Sequence, residues 1–354
     1  MTESNAANDS GPRADANASR EPPGSAPRPA RSRWRTVLLV LVVGYALGIV
    51  GLWLWMIWQG GRDTVATLIL FGPRWLCGLP LPVLALASLI WHRRLLWVLA
   101  VAGAVLVFPF MGFQVHWPAA RSTPVRLRVM TCNVDQDVVD AAALAELVRA
   151  EEPDVVALQE VNRRTRFVWP DGWYVLNNDE FSVASRWPIR EEQALEHPLS
   201  PPEKVAISFR VELPTGVVRL VNLHLRSPRP GIEAVLKRGP VDGDPALARM
   251  LEILSIESQQ TSDWVAQLAG PKIVAGDFNM PSQGFVYRRD WRRLDDAFGQ
   301  AGFGFGFTKI SSRGWMAYGS RIDHVLYDDT LRCVRAWVGP DVGSDHLPLF
   351  AEFQ

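Results

Sequence analysis

The chain is poor in cysteine, with only Cys77, Cys132 and Cys333 in 354 residues. Three thiols this far apart make neither a disulfide framework nor a thiolate zinc site, and they read as small buried hydrophobes. Net charge is lacking too, with 37 basic against 37 acidic side chains, which excludes a histone-like polycation or an acidic tail as the main theme. No HExxH, GxSxG or GxxxxGK[ST] run occurs, against zinc-protease, serine-hydrolase and P-loop readings. No internal repeat is visible. Residues 1–30 lack every aromatic and large aliphatic side chain after Met1. They cannot bury enough apolar area to offset the entropy of ordering, so 1–35 is expected to be a disordered cytoplasmic tail. A secretory signal peptide fits poorly, because the apolar run begins late, is long, and has no small-residue cleavage pattern behind it.

Charge is scarce again over 36–114, where only Arg62, Asp63, Arg74, Arg93 and Arg94 are ionisable as acids or strong bases. Thr36 to Trp58 carries no charge and is long enough to span about 30 Å of hydrocarbon. Arg31, Arg33 and Arg35 precede it, and Trp53, Trp55 and Trp58 crowd its far end, the pattern of a helix whose N-terminus is cytoplasmic. Further apolar stretches at 75–91 and 95–113 flank the basic loop His92-Arg93-Arg94. The expectation is three transmembrane helices (36–58, 75–91, 95–113), an integral location in the cell membrane, and an extracytoplasmic domain after them. Two spans would instead leave that domain in the cytoplasm. The short apolar segment Thr64–Phe71 fits either an extension of the second helix or an interfacial position.

Residues 115–354 hold 27 basic and 32 acidic groups and read as a water-soluble α/β domain. Strand-like runs fall at Arg126–Asn133, Asp154–Leu158, Val205–Val211, Val217–Leu225, Lys272–Ala275, Arg321–Tyr327 and Leu349–Phe353. Helical spacing appears at Val138–Ala150 and Pro245–Leu268, the latter after a Gly/Pro/charge-rich stretch, Arg226–Asp244, that looks like a surface loop insertion.

Several of these strands end in polar residues for which a core has no use. Asn133 and Asp135 follow the first; Gln159-Glu160 follow the second; His224 sits inside VNLHL; Asp277 and Asn279 follow IVAG. Asp323 lies in RIDH, and Asp345-His346 follow Gly343-Ser344. Strand ends are where side chains converge on one cleft, and this set offers carboxylates for a hard cation and imidazoles for proton transfer. In order along the chain, the motifs Thr131-Cys-Asn133-Val-Asp135, Pro153-Asp-Val-Val-Ala-Leu-Gln159-Glu160, Asn222-Leu-His224-Leu, Gly276-Asp277-Phe-Asn279, Arg321-Ile-Asp323-His and Ser344-Asp345-His346-Leu-Pro348 resemble the endonuclease/exonuclease/phosphatase superfamily. That group includes pancreatic-type DNases, abasic-site endonucleases, sphingomyelinases and inositol-phosphate 5-phosphatases. The resemblance covers about Val125 to Gln354, and any one motif alone would be weak.

The resemblance implies an α/β (α+β) four-layer sandwich, two packed mixed β-sheets flanked by helices. It implies a phosphoric ester hydrolase that uses Mg²⁺, with Mn²⁺ as the alternative. Glu160 becomes the principal metal ligand, with Asn133, Asp135 and Asp345 near the ion or its waters. Asp277 orients or deprotonates the attacking water and Asn279 contacts the phosphoryl oxygens. Asp323 holds His346, and His224 touches the phosphate and assists the leaving oxygen. Whether Asp277 or His346 is the base stays open. His324 stands where many relatives have Tyr or Trp, and it reads as a core histidine. No counterpart to the phosphate-gripping arginines of the DNases is evident.

Bland readings stand beside these. Asp277 and Asn279 are good turn formers, Glu160 could cap a helix, and His92, His116 and His197 read as surface or interface residues. The cluster Arg288-Arg289-Asp290-Trp291-Arg292-Arg293 is a solvated face or a nucleic-acid contact. A domain with an acidic excess is a poor general polyanion binder. The favoured partner is therefore a phosphate ester near the bilayer, such as a phospholipid or sphingolipid headgroup, with an extracytoplasmic nuclease or an inactive tethered binding module as alternatives. Arg226, Arg229, Lys237 and Arg238 would then face lipid headgroups.

Overall fold

The structure is a computed structural model that describes residues 30–116, 127–136, 138–162, 164–314 and 316–354. The first 29 residues of the expected tail lie outside the described residues, and helix α1 (Ala30–Gln59) already includes its last six. After α1 come α2 (Thr64–Phe71), a 3-10 turn (Arg74–Gly78), α3 (Pro80–Trp91) and α4 (Leu95–Val105), which closes in a π-helical turn (Leu106–Phe110) containing Pro109. Asp63 caps α2 by accepting from the Ala66 N–H at 2.8 Å, so the short segment is a separate helix and not an extension of the second. Two helical stretches, Arg33–Gln59 and Arg74–Trp91, are long and apolar enough to cross a membrane. The third, Leu95–Phe110, is shorter than the expected 95–113 and measures about 24 Å.

Inside this bundle, Leu38 and Val42 of α1 pack on Leu95 and Leu99 of α4, while Ile49 and Met56 pack on Leu70, Leu106 and Phe110. α1 and α4 therefore run side by side in the same direction. Leu47, Leu54, Val83, Leu86, Ile90, Trp97 and Val101 are exposed and give the bundle an apolar outer surface.

A short strand β1 (Gln114–Val115) leads to the α/β domain. Its first half is β2 (Leu127–Asn133), α5 (Ala141–Glu151), β3 (Val155–Gln159), β4 (Tyr174–Asn178), β5 (Phe181–Ser185) and β6 (Ile189–Glu196). Then come β7 (Lys204–Leu213), β8 (Gly216–His224), α6 (Arg229–Arg238), α7 (Pro240–Gln267), β9 (Lys272–Asp277) and α8 (Phe285–Asp290). The chain ends with β10 (Asp295–Asp296), α9 (Ala297–Ala301), β11 (Phe303–Gly304), β12 (Lys309–Arg313), β13 (Met316–Ser320), β14 (Asp323–Tyr327), β15 (Cys333–Val338) and β16 (Leu349–Phe353). The stretch 226–244, expected as a loop, is instead largely helical. α6 buries Val235 against Leu247 and Leu251 of α7, a spacing masked in sequence by its prolines, glycines and charges.

Two six-stranded sheets form, in the orders β15-β16-β2-β3-β5-β4 and β10-β14-β9-β8-β7-β6. Each contains one parallel pair, β2 with β3 and β8 with β9, and every other neighbour is antiparallel. Parallel neighbours need a crossover, supplied by α5 in one sheet and by α6 and α7 in the other. Asp140 starts α5 by accepting from the N–H groups of Ala142 and Ala143, and Leu144, Leu147 and Val148 turn to the sheet.

Strand alternation builds four layers. Val129, Ala157, Leu220, Ala275 and Val325 point between the sheets, whereas Met130, Val156, Val221, Val274 and Leu326 point outward to the helices. Cys132 and Cys333 are buried and Cys77 partly so, all three as free thiols.

Candidate functional site

The inward-facing file of each central strand changes from apolar to polar at one end. Val129 is followed two residues on by Thr131 and then Asn133; Ala157 by Gln159; Leu220 by Asn222 and His224; Ala275 by Asp277. Asp323 pairs directly with Asp277 across β14 and β9. The C-terminal ends of both parallel pairs thus meet at one end of the sandwich, the usual place for a site in such sheets. Beneath it, Gln159 Nε2 donates to Thr131 Oγ1 (3.0 Å) and Asn222 Oδ1 (2.7 Å), and Asn222 Nδ2 donates to the Leu158 carbonyl (2.9 Å). This buried amide layer ties the two sheets together under the site.

Asp277 is the hub. Its carboxylate accepts from Asn133 Nδ2 (3.1 Å), the Asn279 N–H (2.8 Å) and Asn279 Nδ2 (3.1 Å). Asn133 Nδ2 also donates to Glu160 Oε1 at 2.8 Å. An imidazole stands on either side: His346 Nε2 is 3.8 Å and His224 Nε2 3.9 Å from Asp277 Oδ2. Each imidazole is locked from behind through Nδ1, His346 by Asp323 (2.8 Å) and His224 by Glu180 (3.0 Å). Both Nε2 atoms are thereby left facing the space beside Asp277.

Local backbone geometry reflects the crowding. Asp135 (φ 46), Gln136 (φ 54), Glu160 (φ 54) and Asn279 (φ 51) are all left-handed, a clustering typical of functional sites. Glu160 caps no helix; its carbonyl instead accepts from the Gln136 N–H at 2.9 Å, lacing the loops after β2 and β3. Gly276 has φ 149, and a Cβ there would run into the Leu223 carbonyl of β8, so the residue before Asp277 has to be glycine.

The electrostatics follow from burial and charge. Burial, reinforced by Asp323, raises the Asp277 carboxyl to about 6. Burial works against the His346 cation, but Asp323 and Asp277 outweigh it and lift the imidazole to about 9. His224 reaches about 9 likewise, burial being overcome by the Glu180 hydrogen bond and charge. Burial also raises the Asp135 carboxyl, helped by Asp345 and Glu160. In Asp345 the opposing effect of burial is outweighed by Lys309, with which it is ion-paired, and its carboxyl is lowered.

All nine expected residues border this centre or the cleft above it. Asn279 differs in detail from the expected phosphate contact: its amide N–H groups are directed to the Leu225 carbonyl (2.8 Å) and to Asp277. Glu180, Lys309 and Arg229 were not legible. Arg229 Nη1 lies 3.4 Å from Asp345, and no motif surrounds any of the three. Thr308 braces the site by accepting from the N–H of Asp323 (3.2 Å), and its carbonyl accepts from Leu347.

Other readings resolve differently. His197, read as a surface or interface residue, is buried against Glu257 where the β6–β7 connection folds back onto α7. Trp291 in the arginine cluster is buried with its indole bonded to Ser258, so no aromatic is available there for base stacking. Arg229 and Lys237 pair with Glu233, and Arg226 with Glu203. His324 is a fully buried core residue, as expected.

A divalent cation fits this donor set. Ligand atoms of Glu160, His224 and Asp277 lie within 4.8 Å of one another, with Asp135 and Asp345 bordering the same cleft. Asp323 Oδ1 is buried without a hydrogen-bond partner. The trio Asp277, Asp323 and His346 is equally close, but the 2.8 Å hydrogen bond inside it marks a carboxylate–imidazole pair. Two cavities meet at Glu160, one of about 810 Å³ and one of about 630 Å³.

Carboxylates, amides and paired imidazoles at the strand ends of a double-sheet sandwich define a phosphoesterase-type centre. Residues 130–346 match the Endonuclease/Exonuclease/phosphatase family, and the chain belongs to that family of metal-dependent hydrolases acting on phosphoesters. Comparison with curated proteins gave no match. Among solved structures, the chain is similar to an endonuclease/exonuclease/phosphatase from Beutenbergia cavernae (21% identity, TM-score 0.48), covering 65% of this chain and 72% of that one. It is also similar to a 3'-5' exonuclease from Neisseria meningitidis (20%, TM-score 0.47; 64% and 100% covered). An AP endonuclease from Archaeoglobus fulgidus is a further neighbour (18%, TM-score 0.44; 64% and 99% covered).

Proposed function

We propose that the protein is a membrane-anchored, Mg²⁺-dependent phosphodiesterase whose catalytic domain lies outside the cytoplasm. The observation that carries the chemistry is the single point of convergence at Asp277, reached by Asn133, Glu160 and His346 from the sheet of β2 and β3 and by His224, Asn279 and Asp323, which holds His346, from the other. Glu160, with Asn133, Asp135 and Asp345, would hold the cation; carboxylate oxygens supplemented by water suit Mg²⁺, and Mn²⁺ is the alternative. When bound, the ion supplies Lewis-acid neutralisation of the phosphoryl charge.

The side chains do the rest. Asp277, raised to about 6, is ionised at neutral pH yet basic enough to take the proton of an attacking water. His346 and His224, lifted to about 9, remain protonated and present Nε2–H donors to the phosphoryl oxygens and the leaving oxygen. Asn279 and Asn133 position Asp277. Diester cleavage is favoured over monoester cleavage because cavities lie on both sides of Glu160, room for two ester substituents.

The anchor and its orientation rest on the bundle. The end of α1, the start of the Arg74–Trp91 stretch and the segment after Phe110 all touch the catalytic domain: the Phe285 N–H donates to the Gly60 carbonyl, Trp75 Nε1 to the Ala317 carbonyl, and Phe113 packs on Phe303. Leu38 beside Leu95 puts Arg35 and the His92–Arg94 loop together at the far end, where arginines mark the cytoplasmic side. Three crossings satisfy this arrangement. Glu160→Gln and Asp277→Asn in the full chain should each abolish Mg²⁺-dependent turnover of bis-p-nitrophenyl phosphate while the melting temperature holds. Wild-type turnover in both variants would defeat the assignment.

A further inference from the structure

The larger cavity has a chemistry that phosphate hydrolysis alone does not explain. It is lined by Asp135, Glu160, Asp277, Asp345 and His346, and also by Phe71, Ile232, Leu236, Ile310 and Tyr318. Ile310 and Leu236 are 50% and 42% exposed, apolar side chains at the rim of a polar site. Phe71 belongs to the membrane region: it ends α2, three residues before the Arg74–Trp91 stretch begins.

Both walls of the mouth are fastened to that region. Leu68 of α2 packs into the Val235, Leu247 and Leu251 cluster that joins α6 to α7. On the opposite wall, the β12–β13 hairpin that carries Ile310 and Tyr318 is held by the bond from Trp75 Nε1 to the Ala317 carbonyl (3.2 Å). The cleft therefore opens where the chain enters the membrane, with its apolar wall continuous with the membrane helices and its carboxylates deeper in the domain. Three cationic side chains, Arg229, Lys237 and Lys309, line the same cleft.

From this juxtaposition we infer that the substrate is a lipid phosphoester, its hydrocarbon chain lying along Phe71, Ile232, Leu236 and Ile310 while its phosphate reaches Asp277. The inference rests on the phosphodiesterase reading and adds the substrate class and the residues that select it. A polynucleotide makes no use of an apolar wall at a membrane boundary, and the three cations of this cleft are already paired with carboxylates, Arg229 and Lys237 with Glu233 and Lys309 with Asp345.

The test uses the full chain in nanodiscs with Mg²⁺ and p-nitrophenyl phosphodiesters whose second substituent is methyl, butyl, hexyl or octyl. Each buried methylene contributes about 0.8 kcal/mol, close to fourfold in an equilibrium constant, so partial burial still predicts at least a tenfold rise in kcat/KM from methyl to hexyl. The surface substitutions Leu236→Asp and Ile310→Asp together should flatten that dependence, lowering the hexyl-to-methyl ratio at least fivefold. Partition of the esters into the nanodisc is the same for both proteins, so the ratio reports the wall. Turnover of every ester with no dependence on chain length, or an unchanged ratio in the double variant, overturns the lipid inference and leaves the phosphodiesterase reading standing. DNA hydrolysed faster than every alkyl ester likewise overturns it. No turnover of any phosphodiester removes both.

Discussion

His324 offers a sharp test of how the catalytic loop is held. Its ring is fully buried between Phe278 (centroids 5.1 Å apart) and Tyr287 (4.6 Å). Nε2 donates to the Met280 carbonyl at 3.0 Å, while Nδ1 accepts from Arg321 Nη1 at 3.0 Å, a pattern that only the neutral ring satisfies. Arg321 also bonds Asp296 (2.6 Å) and Ser282 Oγ (2.9 Å), so this cluster braces the turn just after Asn279. Burial, with Arg321 opposing a second positive charge, drops the imidazole from 6.5 to about 4. Between those values the unfolded chain binds a proton that the folded chain refuses, so stability falls as pH falls from 6.5 toward 4. The shift corresponds to about 3 kcal/mol once pH reaches 4. Guanidinium unfolding of the detergent-solubilised chain, followed by tryptophan fluorescence at several pH values, measures it. His324→Gln removes this titration while keeping polar groups, so the wild type should lose about 3 kcal/mol more than the variant between pH 7 and pH 4. Identical pH slopes in the two proteins would refute the reasoning.

Two further outcomes follow from the site and the bundle. Glu180→Gln removes the charge behind His224 and should move the alkaline limb of the kcat profile to lower pH, with turnover at pH 8 reduced about tenfold; an unmoved limb in pH–rate measurements would deny Glu180 that role. Alkaline phosphatase fused after Gln354 should be active, and a fluorescent reporter that folds only in the cytoplasm should stay dark there; the reverse result would require an even number of crossings.

Much of the site was legible because strand periodicity and chemistry conflict at the same places. A strand such as RVMTCN or KIVAGD sets apolar residues on both faces, so an amide or carboxylate on the inward file has no place in a dry core and signals a cleft. His324 was separable from His346 by the same logic, since Asp323 stood on the inward file and His324 on the outward one. Asn133, His224, Asp277 and Asp323 carried that signal, and Glu160 and His346 stood beside strands in the same six short motifs. Glu180, Lys309, Thr308 and Arg229 carried none, because residues in loops or at the first position of an element acquire such a role only when a distant part of the chain comes beside them. α6 was missed for a related reason: its four-residue spacing buries Val235 only once α7 provides the opposing surface.

The apolar runs and the alternating strands determined the division into an apolar helical bundle and an α/β sandwich, because burial patterns are written locally along the chain. Tertiary structure alone decided which carboxylate stands behind which imidazole, that the end of the bundle docks on the loop after Asn279, and that Phe71 reaches the rim of the cleft. Those are distances between parts of the chain far apart in sequence, set by the packing of two sheets on each other and on the helices that precede them.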